Sequence, residues 1–346
     1  MSTELTLDSL GWRQHFQAQL DPDQEAIAAR VLSVHRGRVE IAAEDGRTSV
    51  ELTGPSATMQ LTVGDWVLLD DRGRITRHLE PFSLFKRRAA GTGAEIQTIA
   101  ANVDTLFIVT SANQDFNVAR LERYLAIAHD AGAFPIIVIT KADLAAAPED
   151  FAAQAAKLSP GVLVETLDAR DSEQVAVLKS SCTVGQTVAL LGSSGVGKST
   201  IINSLTGSDL ETSAAREDDQ RGRHTTTSRS MHTLADGGWL IDTPGMRELQ
   251  LVDIGNALDE VFSDVASLAT RCRFGDCNHE SEPGCAVQIA IEKEELDPER
   301  LRRFRKLLAE DRRNTESVAE RRSRDRHLGK FYKSVITEKQ QKKDEQ

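Results

Sequence analysis

Between positions 192 and 199 the chain reads Gly192-Ser193-Ser194-Gly195-Val196-Gly197-Lys198-Ser199, the G-x-x-x-x-G-K-[ST] spacing of a loop built to hold phosphate. Glycines let the backbone curl until successive N–H groups face phosphate oxygens, and a helix opening behind them adds its positive end. Lys198 is expected to reach the β- and γ-phosphates. Ser199, followed by Thr200, is expected to give a hydroxyl to Mg²⁺, an ion that prefers hard oxygen ligands.

A phosphate loop does not choose a base, so that choice must be made elsewhere. Thr140-Lys141-Ala142-Asp143 follows the apolar run FPIIVI. There the Asp143 carboxylate can accept two hydrogen bonds from the N1–H and N2–H₂ edge of guanine, a donor pair that adenine lacks. Asp242-Thr243-Pro244-Gly245 follows GGWLI, which suits an aspartate that meets Mg²⁺ through water and a glycine N–H that meets the γ-phosphate. Many GTPases orient the attacking water with a glutamine directly after that glycine. Met246 stands there instead, and a thioether cannot do this work. His224, in Arg221-Gly222-Arg223-His224-Thr225-Thr226-Thr227, is the best local candidate for the catalytic role, and Thr226 or Thr227 for the switch threonine on Mg²⁺.

A second cluster, Cys272-x₄-Cys277-x-His279-x₅-Cys285, puts four metal-ligating side chains into 14 residues around turn-forming Gly275, Pro283 and Gly284. Four protein ligands leave no position for a reacting water, so a zinc here would be structural. A Cys272–Cys285 disulfide or unrelated buried thiols are the alternatives. Cys182 reads as a small hydrophobe, and His15, His35, His78 and His129 stand alone and suggest no ligand role.

These residues need a scaffold. VDTLFIVTSA, FPIIVIT, VLVETLDA and TVALLG are continuous apolar runs, the pattern of parallel strands buried on both faces, and they alternate with helical stretches such as VARLERYLAIAHDAG, closed by Gly132. DLAAAPEDFAAQAAKL predicts another helix and MHTLADGGWLIDTP a hairpin. The fold class is therefore α/β, with the phosphate loop at the carboxyl end of a parallel strand. Upstream, about 60 residues alternate apolar with polar between Gly and Asp turns, as a small antiparallel barrel of OB or SH3 type would. Residues 1–27 read as a short amphipathic helix and linker, 28–90 as the barrel, 91–250 as the nucleotide-binding domain and 251–346 as a mainly helical region.

With 346 residues the chain is long enough for two or three such units. It carries a net charge of -11, which would disfavour a nucleic-acid partner if the charge were evenly spread. From Arg300 onward, however, 16 Lys and Arg face 8 Asp and Glu, and the segments 302–306, 321–324 and 330–333 mix cations with aromatics that can neutralise RNA phosphates and stack on bases. No leader pattern and no run of about 18 apolar residues is evident, so a cytoplasmic protein with no membrane partner is expected.

The order of the motifs adds a resemblance. In ordinary small GTPases the phosphate loop comes first and the guanine motif late. Here TKAD (140–143) precedes GSSGVGKS (192–199), and DTPG (242–245) comes last. In that order, and from the barrel through RGRHTTT to CRFGDCNHESEPGCAV, the sequence resembles the circularly permuted, small-ribosomal-subunit-dependent GTPases of bacteria. It departs from their pattern at Thr140, where Asn is usual, and at Leu167-Asp168-Ala169, where a Ser-Ala base-contact motif is expected.

The resemblance implies an OB-like barrel, a circularly permuted P-loop GTPase domain and a C-terminal zinc domain. It implies GTP and GDP with Mg²⁺ as the nucleotide and its ion, and one structural Zn²⁺ on Cys272, Cys277, His279 and Cys285. It also implies docking on the small ribosomal subunit and its rRNA during late maturation, by a protein acting as a monomer with slow intrinsic turnover that the subunit stimulates. An RNA-binding scaffold with a purely structural nucleotide site and an ATP-using P-loop kinase are the competing readings, and Asp143 disfavours the kinase.

Overall fold

The computed structural model describes residues 5–21, 26–88, 96–207, 229–242, 249 and 254–315. His224, Thr226, Thr227, Gly245 and Met246 lie outside those residues, as do the cationic segments 321–324 and 330–333.

The first residues do more than link. They hold one short helix, α1 (Gln14–Gln17), yet Leu10 and Phe16 are fully buried. Trp12 and Phe16 pack on Trp66, with ring centroids 4.9 and 5.7 Å apart, and Trp239 donates its indole N–H to Ser9 O at 2.8 Å. The amphipathic helix expected here is cut to that short piece because residues 7–11 form hydrogen-bonded turns with Gly11 at φ 88°, and the apolar residues become a wedge between two larger units.

Five antiparallel strands follow: β1 (Ile27–His35), β2 (Arg38–Ala43), β3 (Gly46–Glu51), β4 (Trp66–Leu69) and β5 (Ile75–His78). Their alternating apolar residues, among them Val31, Ile41, Val67 and Ile75, enclose a core of their own. A hairpin of β6 (Leu84–Arg88) and β7 (Ile96–Ala101) then spans the boundary expected at 90.

The nucleotide-binding unit comprises β8 (Thr105–Ser111), α2 (Val118–Ala131), β9 (Phe134–Thr140), α3 (Pro148–Ala156), β10 (Leu163–Thr166), α4 (Ser172–Val175), β11 (Thr187–Leu191), α5 (Lys198–Thr206), β12 (Arg229–Thr233) and β13 (Trp239–Asp242). In space the strands run β10-β9-β8-β11-β13-β12, parallel throughout except for β12. Alternation along the strands divides them between two faces. Leu106, Ile108, Ile137 and Ile139 pack with α2, whereas Phe107, Val109, Val138 and Leu190 pack with Ile201 and Leu205 of α5. The helix expected from Asp143 onward starts only at Pro148, because a proline is favoured in the first turn of a helix and disfavours helical backbone in the residue before it.

After Ile254 the chain is helical: α6 (Gly255–Val261), α7 (Ser263–Ala269), α8 (Ala286–Glu292) and α9 (Pro298–Thr315). Among the described residues no helix is long and apolar enough to cross a membrane. This region docks on α2 through a buried ionic knot. Arg300 Nη1 meets Glu122 Oε1 at 2.8 Å, Arg303 Nε meets Glu122 Oε2 at 2.8 Å, and Arg300 also donates to Asp264 and to the carbonyls of Val261 and Leu158. Phe304 is buried on Phe262. Within the 302–306 run read as an RNA-facing stripe, Arg303 and Phe304 are therefore structural. They lie on the face of α9 that the fold buries.

Burial pushes the Glu122 carboxyl above the ordinary glutamate range, against the opposing pull of Arg303 and Arg300. The knot is therefore costly to form and costlier to break, and it fixes where α9 sits on α2 more than it adds stability. Glu122→Ala, which leaves two buried cations short of a partner, should destabilise the protein by about 3 kcal/mol in chemical denaturation. Glu122→Leu combined with Arg300→Met and Arg303→Met should lose much less. Equal losses in the two variants would show that the knot contributes as ordinary packing.

Candidate functional site

Every motif of the nucleotide reading that falls within the described residues lies at the carboxyl edge of the parallel sheet. Leu191 pairs with Ile108, Ser111 with Thr140, and Ile241 with Ala189, so the loops after β8, β9 and β11 open on the same side, where β13 also ends at Asp242. The loop 192–199 leaves β11 against its neighbour. A Cβ on Gly192 would stand 2.2 Å from Val109 O, so no other residue fits there. Gly195 (φ 76°) and Gly197 (φ 98°) take the left-handed turns, and α5 opens at Lys198. The Lys198 ammonium folds back onto the loop, donating to Gly192 O at 2.8 Å and to Ser193 O.

The loop after β9 is joined to this one directly. A Cβ on Gly197 would be 3.5 Å from Thr140 Oγ1 and 3.6 Å from Ala169 Cβ, which brings the phosphate loop, the TKAD loop and the loop after β10 into contact. Thr140, expected among the nucleotide contacts, is fully buried. Its hydroxyl lies 3.0 Å from Thr110 O and 2.5 Å from Val196 O, sharing its proton between two carbonyls. It braces the phosphate loop and leaves no donor for a base. Lys141 adopts φ 58°, and Asp143 is part-exposed beyond it, its Oδ2 2.7 Å from Arg170 Nη2. Arg170 had no place in the sequence reading. Only the fold brings it to Asp143, across 27 residues of chain.

Asp242 ends β13, opposite Ser230. The four single histidines have local partners: His78 meets Asp65 at 3.0 Å, His129 meets Glu260 at 2.9 Å, His15 meets Glu80 O at 2.8 Å and His35 meets Ser33 Oγ at 3.0 Å. Cys182 is buried, and desolvation pushes its thiol up to about 12, as suits an inert hydrophobe.

Cys272, Cys277, His279 and Cys285 converge, with their ligand atoms all within 4.8 Å of one another. Cys272 Sγ lies 3.8 Å from Cys285 Sγ and 3.5 Å from His279 Nδ1, and Cys285 Sγ lies 3.4 Å from the same nitrogen. Tetrahedral zinc with ordinary bond lengths requires edges of about 3.8 Å between sulfurs and about 3.5 Å between sulfur and nitrogen, so the group fits. A disulfide does not, since all three thiols are free. Local structure sets the donors. Cys285 caps α8, the first N–H groups of that helix point at Cys272, and the Glu282 carboxylate gathers the N–H groups of Asn278, Glu280 and Ser281.

The fold and the site's layout define a P-loop GTPase domain of circularly permuted strand order, and comparison with known proteins agrees. A model of the RsgA GTPase family matches residues 79–252. A small ribosomal subunit biogenesis GTPase RsgA 2 of Vibrio parahaemolyticus is 48% identical over 99% of this chain and 96% of its own. A small ribosomal subunit biogenesis GTPase RsgA of Mesorhizobium japonicum is 49% identical over 90% of this chain and 91% of its own. The chain belongs to the RsgA GTPase family. Among solved structures, YjeQ from Thermotoga maritima has a TM-score of 0.61 at 24% identity, covering 82% of this chain and 99% of its own. YloQ, described as a circularly permuted GTPase, has a TM-score of 0.59 at 23% identity, covering 86% of this chain and 99% of its own.

The metal geometry gives a direct test. Cys277→Ser should lower the zinc content of the purified protein from about one per chain to near zero and raise hydrogen exchange across 270–292, because a four-ligand site releases its metal when one thiolate is lost. Metal analysis of the unmodified protein that finds no zinc would end this assignment.

Proposed function

We propose that this protein binds GTP in the cleft formed by the loops after β9, β10 and β11, and that its hydrolysis of GTP serves late maturation of the small ribosomal subunit. The observation that carries this reading is the contact of three loops at Gly197, which makes the phosphate cradle and the base-reading loop one body at the sheet's carboxyl edge. In such a body, binding geometry exists before the nucleotide arrives, and little order has to be created on binding.

In this reading the curled backbone from Gly192 to Gly197 and the N-terminus of α5 receive the phosphate oxygens, and Lys198 leaves its loop carbonyls for the β- and γ-phosphates. The Asp143 carboxylate takes the N1–H and N2–H₂ edge of guanine. Ser199 and, through water, Asp242 would hold Mg²⁺, which when bound neutralises charge on the phosphate oxygens. Gly245 N–H meets the γ-phosphate. Cys272, Cys277, His279 and Cys285 hold one structural Zn²⁺ that shapes the helical region. The 30S subunit and its rRNA are the partner, met in the cytoplasm by a monomer, and subunit docking raises a slow intrinsic rate by bringing His224 to bear on the attacking water. The names of the RsgA relatives, at 48 and 49% identity, support the subunit assignment.

Two measurements test the reading. Lys198→Ala should weaken GTP binding by about 100-fold, the scale of charge-assisted bonds to two phosphates, without lowering the melting temperature. An unchanged affinity would remove the phosphate site. His224→Ala should keep GTP binding and 30S association yet lose about 100-fold in subunit-stimulated turnover, the lower range for a positioned general base. A stimulated kcat near the parent value would assign the water-orienting role to another group.

A further inference from the structure

The guanine-reading carboxylate has a neighbour of its own charge. Asp168 stands in the loop after β10 and is fixed there: its N–H donates to Gln174 Oε1 at 2.9 Å, and Gln174 Nε2 is held by Asp171 Oδ2 at 2.8 Å. Leu167 N–H donates to Ile139 O at 2.9 Å, and Ala169 is buried against Gly197. The loop backbone is thus fixed, and the Asp168 carboxylate is held to it by the Arg170 N–H, which donates to Oδ1 at 3.0 Å. It grips Arg170 as a fork, Oδ1 to Nε and Oδ2 to Nη2, both at 3.1 Å, and the same Nη2 reaches Asp143 Oδ2 at 2.7 Å. One guanidinium nitrogen thus bridges two carboxylates of like charge, Asp143 and Asp168.

We propose that Arg170, anchored by Asp168, is a specificity-determining positioning residue of the nucleotide site, keeping Asp143 aimed so that both its oxygens can read guanine. The proposal rests on the reading of Asp143 as the base-contacting carboxylate. A carboxylate offers about four lone-pair sites, so Asp143 can accept N1–H and N2–H from the base while Oδ2 retains the bond from Arg170. No proton need move and no group need leave. Because its fork is already committed to Asp168, Arg170 takes a single lone pair of Oδ2 and leaves Oδ1 and the other lone pair of Oδ2 for the base. Guanidinium, with several donors in one plane, can bridge two acids in this way. In its absence the like charge of Asp168 turns Asp143 toward water, which costs one of the two acceptors that separate guanine from adenine.

The test is competition of GDP and ADP against a fluorescent guanine nucleotide on the full-length protein. Arg170→Ala should weaken GDP by about tenfold, the scale of one charge-assisted bond discounted for exposure, and leave ADP unchanged. Arg170→Lys, which keeps the charge without the fork, should fall between. Asp168→Asn added to Arg170→Ala should bring GDP back to within about threefold of the parent, since the opposing charge is then gone. A merely structural role for the loop would move GDP and ADP together and would not be rescued. If Arg170→Ala binds GDP as well as the parent or better, the arginine only covers an idle carboxylate and the proposal is wrong. It is equally wrong if the double variant binds no better than Arg170→Ala. A parent that holds ADP as tightly as GDP would remove the base-reading role of Asp143, and this proposal with it.

Discussion

One buried guanidinium ties the antiparallel sheet and the N-terminal wedge to the nucleotide-binding unit. Arg30, on β1, is 1% exposed, and its donors reach Leu10 O, Asn102 O at 3.2 Å and Thr187 Oγ1 at 2.8 Å. Those three partners belong to the N-terminal wedge, the joint before β8 and the first residue of β11, the strand that carries the phosphate loop. Burial and the nearby charge of Arg13 pull its pKa down to about 9, still far enough above neutrality for the charge to persist. A buried cation must be satisfied wherever it sits, so these segments are bound to a single arrangement by the cost of leaving it bare. The joint repeats the logic on a smaller scale. Asn102, at φ 56°, donates to Gly64 O and accepts from Phe82 N–H, while Asp104 accepts from Thr187 N–H and pairs with Arg13.

The same rule governs the other side of the sheet. α2 presents Glu122 to two arginines of α9, and Arg123 pairs with Glu310 at 2.6 Å while donating to Leu249 O. The apolar part of the contact, Leu125 with Leu258, Val261 and Phe262, supplies the burial, and the charges decide the register in which it occurs. The zinc cluster stands at the end of this packed region, with Cys285 inside the core and Arg305 reaching Glu280 across the ligand loop. Metal ligands placed on a helix cap and a carboxylate-braced turn are aligned before any ion arrives.

What the sequence made legible was whatever chemistry is local. The phosphate loop, TKAD and the Cys/His cluster are contiguous, and their residue types carry their geometry with them. The buried strands were equally clear, because continuous Val, Ile and Leu leave no amphipathic alternative. Three things were hidden, each for a tertiary reason. The N-terminal wedge has apolar residues at helical spacing, such as Trp12, Phe16 and Leu20, yet turns ending at Gly11 leave only a short helix there. Arg303 and Phe304 look like an RNA-facing pair in one dimension, and only the docking of α9 on α2 shows that they face inward. Arg170 is an ordinary loop arginine until the parallel pairing of β9 with β10 sets it beside Asp143, and nothing in its own neighbourhood signals that partner.

The permuted order has a mechanical consequence that the sheet makes visible. β12 begins where the segment 208–228 ends, and it pairs on one side with β13 and on the other with β1, Ser33 opposite Ser230 and Val34 opposite Arg229. β1 can accept it because β4 occupies only Ile27 to Arg30 on that edge, leaving the outer half of the strand open. β13 ends at Asp242, and the chain reaches α6 by residue 255. β12 is thereby hydrogen-bonded to the antiparallel sheet, while β13 is followed in sequence by the helical region. In an unpermuted order the chain would leave β13 for β8, and neither attachment would fall at the end of the motif series. β12 is thus the strand the two sheets share, its backbone hydrogen-bonded to β13 on one edge and to β1 on the other, so its register is fixed by both units at once.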